Sequence, residues 1–137
     1  MEARRYLEQV EKIDKLITNK MAEAEQWMAM AMSSTAPMGG ERVQSSGSQQ
    51  KMADAVGKYV DIQKDIDAEI DRLVDVKKEV IRTIEQLPPD EYDVLHKKYI
   101  QLKDFKEIAP EVGKAYTWVT SVHGRALKNL QSILNKR

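Results

Sequence analysis

Between residues 56 and 87, ten positions fall alternately three and four apart. Eight of them are apolar: Val56, Tyr59, Ile66, Ile70, Leu73, Val80, Ile84 and Leu87, with Gln63 and Lys77 interrupting. This spacing places one stripe along one face of a helix. No Pro breaks the run, and one Gly, Gly57, sits near its start. A lone helix cannot bury such a stripe, so a second helix must cover it. Residues 1–32 supply a candidate: Tyr6, Val10, Ile13, Ile17, Met21, Ala24 and Met28 recur at helical spacing, opposite a polar face of Glu8, Glu11, Lys12, Lys15 and Glu23. The two helices can form a hairpin within one chain or an oligomerisation arm between two, and the pattern leaves both open. Four of the seven Met (Met21, Met28, Met30, Met32) fall in one short stretch, which suits adaptable packing or a partner's surface.

Two breaks divide the chain. Residues 33–50, rich in Ser and Gly, have the composition of a flexible connector. Leu87-Pro88-Pro89-Asp90 should end the long helix near Gln86, because Pro disfavours helical geometry in the residue before it. The expected fold class is all-α, with helical arms over residues 1–86 and a compact C-terminal unit over 87–137.

That unit holds five of the eight aromatic residues: Tyr92, Tyr99, Phe105, Tyr116 and Trp118. It reads as three helices. The first starts at Pro89 or Asp90 and runs to about Gln101, with Tyr92, Leu95, Tyr99 and Leu102 inward. The second opens at Asp104, with Glu107 three residues on as a capping-box partner, and stops at Gly113. The third runs from about Tyr116 to Asn135 on a stripe of Val119, Val122, Ala126, Leu130 and Ile133. A short helix, a Gly-containing turn and a longer helix make the helix-turn-helix pattern.

Charge points to a function for it. Lys plus Arg and Asp plus Glu both number 22, so a wholly basic nucleic-acid coat is excluded. The distribution is uneven: residues 1–85 hold 13 basic and 16 acidic side chains, residues 86–137 hold 9 and 6. From Lys114 to Arg137 there are five basic residues and no carboxylate. A helix lying against phosphates needs that composition, because a carboxylate there repels the backbone. The bland alternative is a basic helix end that complements its own dipole.

Other chemistry finds little support. With no Cys, disulfides, thiolate catalysis and Cys-based zinc sites are out. His96 and His123 lack the spacing of metal ligands and read as packed or phosphate-contacting. No phosphate loop, dinucleotide motif or catalytic triad is present, so neither enzymatic activity nor a cofactor is expected. The longest apolar run, Trp27–Met32, is far too short to span a bilayer, and the opening residues lack a signal peptide's apolar core. The expectation is a soluble cytoplasmic protein without membrane association.

The segment Gly113-Lys114-Ala115-Tyr116-Thr117-Trp118-Val119-Thr120-Ser121-Val122-His123-Gly124-Arg125-Ala126-Leu127-Lys128-Asn129-Leu130 resembles region four of bacterial sigma factors. Glu107-Ile108-Ala109 and Val94-Leu95-His96-Lys97-Lys98-Tyr99-Ile100 extend the likeness over about residues 86–134. It is nearest in style to the small phage-encoded sigma-like regulators grouped with the RinA and ArpU late-gene activators. The resemblance implies sequence-specific binding of double-stranded DNA alongside bacterial RNA polymerase. By position, Tyr116, Thr117, Thr120 and Ser121 would face the major groove, Arg125 and Lys128 the phosphate backbone, and Lys114 a phosphate at the turn. Periodicity independently puts 117, 120, 121, 124, 125 and 128 opposite the apolar stripe. Ala115 stands where the family has a Ser or Thr cap, Pro110 lies inside the second helix, and the base-facing set is Thr, Ser and Tyr rather than Arg, Glu and Gln.

The leading expectation is therefore a phage or prophage transcription regulator whose residues 1–86 serve either to form a homodimer or to contact a partner. Two alternatives stand beside it: a small terminase-like DNA-packaging subunit, and a protein-binding adaptor or inhibitor working through the helical hairpin.

Overall fold

A computed structural model describes residues 1–35 and 46–137. The described residues are all-α: α1 (Ala3–Thr35), α2 (Ser46–Ile84), α3 (Pro89–Leu95), α4 (Phe105–Val112) and α5 (Tyr116–Asn135). α3 continues directly into one turn of π-helix, His96–Ile100. The connector expected over 33–50 is helical at both ends, since α1 reaches Thr35 and α2 begins at Ser46. Extending an existing helix is easier than starting one, so a Ser-rich edge can be carried along. The middle of that segment, 36–45, lies outside the described residues.

The chain forms two compact units, and they do not divide at 86/87. The first comprises Met1–Asp14 and Arg72–Arg137; the second comprises Lys15–Asp71. The base of each expected arm thus belongs with the C-terminal helices.

In the first unit the start of α1 is a core element. Ala3, Tyr6, Leu7 and Val10 pack with Val80, Ile84 and Leu87, with Leu95 and Tyr99, and with Ala126 and Leu130 of α5. Leu7, Val10, Val80, Ile84 and Leu130 are fully buried, each worth about 1.5–3 kcal/mol of transfer free energy. A smaller core joins Val94, Ile108, Ala109, Val119 and Val122, edged by Phe105, Val112 and Trp118. Buried Thr83 donates to the Glu79 carbonyl at 3.0 Å and shares a 2.9 Å bond with the Tyr6 hydroxyl. Arg137 donates to the Thr83 hydroxyl and lies 5.5 Å from the Tyr6 ring.

Local signals set the short helices. Pro89 occupies the first turn of α3, where no amide donor is needed. Asp104 accepts from the Glu107 amide at 2.9 Å while Glu107 accepts from the Asp104 amide at 3.3 Å, completing the capping box of α4. Gly113 ends α4 at φ 70°, a left-handed conformation that other residues adopt only with strain. Its amide bonds the Pro110 carbonyl at 3.2 Å and the Lys114 amide bonds that of Ala109 at 3.0 Å. α4 runs through Pro110 without breaking.

The π turn changes the expected register of the first helix. The Gln101 amide reaches the His96 carbonyl five residues back, at 3.0 Å. Leu102, expected inward, instead turns the chain at φ 58° and is 38% exposed. Val94 is fully buried instead, in the smaller core with Ile108 and Val119.

The second unit is thinner. The α1 and α2 segments run antiparallel, with Lys20 Nζ 3.7 Å from Asp65. Its buried apolar residues are Ile17, Ala24 and Ala31, at seven-residue intervals, with Ala55 and Ile66 opposite. Half of the expected α2 stripe faces outward here: Val56 is 45% and Ile70 42% exposed. Met21 and Met28 of the α1 stripe are likewise exposed. A single partner helix covers only a narrow arc, which three Ala and two Ile occupy among the described residues.

Candidate nucleic-acid interface

α5 places the candidate residues as its periodicity requires. Val119, Val122, Ala126 and Leu130 are buried, while Thr117, Ser121, Gly124, Arg125 and Lys128 are exposed on the opposite face and Thr120 is half-buried. Ala115 precedes the helix in an extended conformation and makes no side-chain cap. The turn joining α4 to α5 is three residues long, Gly113 to Ala115.

The individual side chains are tied down to different degrees. The Tyr116 ring meets Phe105 edge-on at 6.1 Å and is about half exposed. Lys114 Nζ sits 5.3 Å from the Trp118 ring centroid, which holds the cation beside the turn. The Thr120 hydroxyl donates to the Thr117 carbonyl at 3.1 Å and still has lone pairs to offer. Lys128 projects freely from the exposed face.

Arg125 differs from the reading of a purely phosphate-facing residue. Its Nε donates at 3.0 Å to Glu91, whose side chain is only 3% exposed. Asn129 donates to the other Glu91 oxygen at 2.8 Å. A buried carboxylate needs such partners, so Arg125 fixes α5 against α3. Its side chain remains 56% exposed, leaving the terminal guanidinium nitrogens available. Neither Glu91 nor this pairing was foreseeable, because 34 residues separate the partners.

The start of α1 also reaches this face. The Ala3 amide donates to Gln131 Oε1 at 2.7 Å, and Gln131 Nε2 donates to the Met1 carbonyl at 3.0 Å. One side-chain amide thus clamps the first turn of α1 to α5. Between them lies an open groove of about 730 Å³, with Glu2, Ala3 and Arg4 on one wall and Thr120, Ser121, Gly124, Arg125 and Lys128 on the other. Sequence reasoning missed Arg4, since no local signal links it to a helix more than a hundred residues on.

His123 lies on the inner side of α5, 8% exposed. Its Nε2 is 2.7 Å from the Tyr99 hydroxyl, and Phe105 meets its ring edge-on at 4.9 Å. Burial, reinforced by the charges of Arg4 and Lys98, pushes its pKa down to about 4. Burial pushes Tyr99 up to about 12. At neutral pH the pair is therefore uncharged, with the phenol donating to the imidazole. His123 is a packing group and does not face phosphate. His96, 2.9 Å from Gln101 Nε2, is also lowered by burial and by Lys97.

Among the described residues no group of three His, Asp or Glu side chains could hold a metal ion. No described helix is long and apolar enough to cross a membrane. Compared with protein-family profiles, curated proteins and solved structures, the chain matches none.

Proposed function

We propose that this protein binds double-stranded DNA in a sequence-dependent way and regulates transcription, with α5 entering the major groove. The observation that carries the reading is the exposed face of α5. Tyr116, Thr117, Thr120 and Ser121 lie at its N-terminal end, Arg125 and Lys128 follow, and no carboxylate occurs from Lys114 onward. Hydroxyl side chains can read base edges, and cations anchor phosphates. A short capped helix, a three-residue turn and a longer helix give the arrangement in which such a face is presented.

The likeness to sigma region four adds the rest: a phage or prophage regulator working in the bacterial cytoplasm beside RNA polymerase. Dimerisation through the helical arms would space two half-sites by about one DNA turn or a multiple. A gel-shift series tests the core of this. The purified protein should select fragments of its own genome over random duplex. If it prefers none, the regulator reading fails.

The exposed Met and Val side chains of the second unit support a second reading, a DNA-packaging subunit that assembles through its arms. Mass in solution separates the two. A monomer or dimer fits regulation, and a ring of eight or more subunits fits packaging. Copurification with polymerase or another host protein, without DNA affinity, would favour the adaptor alternative.

A further inference from the structure

We propose that Arg4, in the first turn of α1, is a phosphate-contacting residue of the DNA interface. On this view one sugar–phosphate strand passes through the groove between α1 and α5. The inference rests on the DNA-binding reading and extends it to a helix that reading did not include.

Three observations point the same way. First, the groove has a cationic lining from two directions: Arg4 on the α1 wall, Arg125 and Lys128 on the α5 wall. Glu2 shares the α1 wall, with its carboxylate 3.9 Å from Arg5 Nε, so the cations of the groove outnumber its one acid. Second, the α5 wall carries small side chains at Thr120, Ser121 and Gly124. Gly124 lies mid-helix, where Gly is less favourable than Ala, and nothing stands within 4 Å of where its Cβ would be. No packing within the chain explains it. The bare surface there leaves room for a backbone from outside to approach closely. Third, the Gln131 clamp on Ala3 and Met1 holds the α1 wall in register with α5, so the groove is preformed.

These features fit a phosphodiester strand better than an apolar partner. The groove offers three cations and two hydroxyls against the single carboxylate of Glu2. If α5 reads bases through Thr117, Thr120 and Ser121, the flanking strand runs past Gly124 and Lys128. Arg4 then meets that strand from the side opposite Lys128.

The test uses the full chain and a selected duplex, with binding measured from about 50 to 200 mM salt. Arg4→Ala should weaken binding about 3- to 10-fold at low salt and make the log–log salt slope shallower by about 1, leaving sequence preference intact. Arg4→Lys should keep most of both. Arg4 is exposed, so thermal melting should be unchanged; Arg4→Gln, which keeps the stem, serves if the Ala variant melts early. Gly124→Ala should raise the melting midpoint by about 2–4 °C while weakening DNA binding, an opposition that a purely structural Gly would not show. If Arg4→Ala matches the parent while Lys128→Ala loses affinity, the inference is wrong and the DNA reading stands. A loss of sequence preference without a change of slope also overturns it. If the parent protein binds no duplex, both fall together.

Discussion

The two units of this protein are built from the same two long helices and have opposite surfaces. In the first, α1 and α2 meet α3, its π turn and α5, and large side chains such as Leu7, Ile84 and Leu130 disappear completely. In the second, the same helices have only each other. They meet through Ile17, Ala24, Ala31, Ala55 and Ile66, while Met21, Val56, Val60 and Ile70 remain 42–53% exposed. An amphipathic stripe is therefore no guarantee of burial. What decides it is how many neighbours surround the helix, and the width of apolar arc each can cover. The first unit has the makings of a rigid platform for α5. The second offers surface.

The largest expected effect measures that contrast directly. Leu7→Ala should cost about 2–5 kcal/mol by chemical denaturation, as for other fully buried leucines. Met28→Ala, at a site already 37% exposed, should cost under about 1 kcal/mol. Equal costs would mean that the second unit is covered in solution, as in an oligomer.

Acid should loosen the first unit through His123. Its folded pKa of about 4 lies below the unfolded value of 6.5. The unfolded chain then binds more protons between those values, so the stabilisation is complete above about pH 6.5 and is lost as pH falls toward 4. The expected loss is roughly 3 kcal/mol. His123→Phe should flatten that part of the stability–pH curve, and an unchanged curve would assign the acid sensitivity elsewhere.

Arg125→Ala should destabilise by about 1–3 kcal/mol besides weakening DNA binding, because Glu91 keeps a buried carboxylate with one partner fewer. Adding Glu91→Gln should recover part of the stability and none of the DNA affinity. Recovery of both would make Arg125 structural only. The smallest effect belongs to Asp104→Ala. Loss of the α4 cap should cost about 1 kcal/mol and leave DNA contacts in place.

Much of this architecture is legible in the chain itself, wherever a local signal decides the outcome. The capping box at Asp104, the left-handed Gly113 and the span of α5 from Tyr116 to Asn135 all follow from neighbouring residues. The end of α2 at Ile84, just before Leu87-Pro88-Pro89, does too. The hidden features are those that depend on distant partners. Glu91 looks like a helix-start acid until Arg125 and Asn129 enclose it. Arg4 looks like an arm residue until Gln131 draws the first turn of α1 beside α5. The π turn at His96–Ile100 shifts register by one residue, and a period-based reading of Leu102 cannot register that. For the candidate site, the exposed face of α5 follows from periodicity, whereas the opposing groove wall does not.

The steepness with which salt weakens binding to a selected duplex tests the proposed DNA interface most directly. Four cations, Arg4, Lys114, Arg125 and Lys128, stand at or beside the α5 face. Neutralising four phosphates predicts a slope of log affinity against log salt near about −3.6, because each contact contributes about −0.9. A slope near zero, or affinity equal for every duplex tried, would show that α5 does not read DNA.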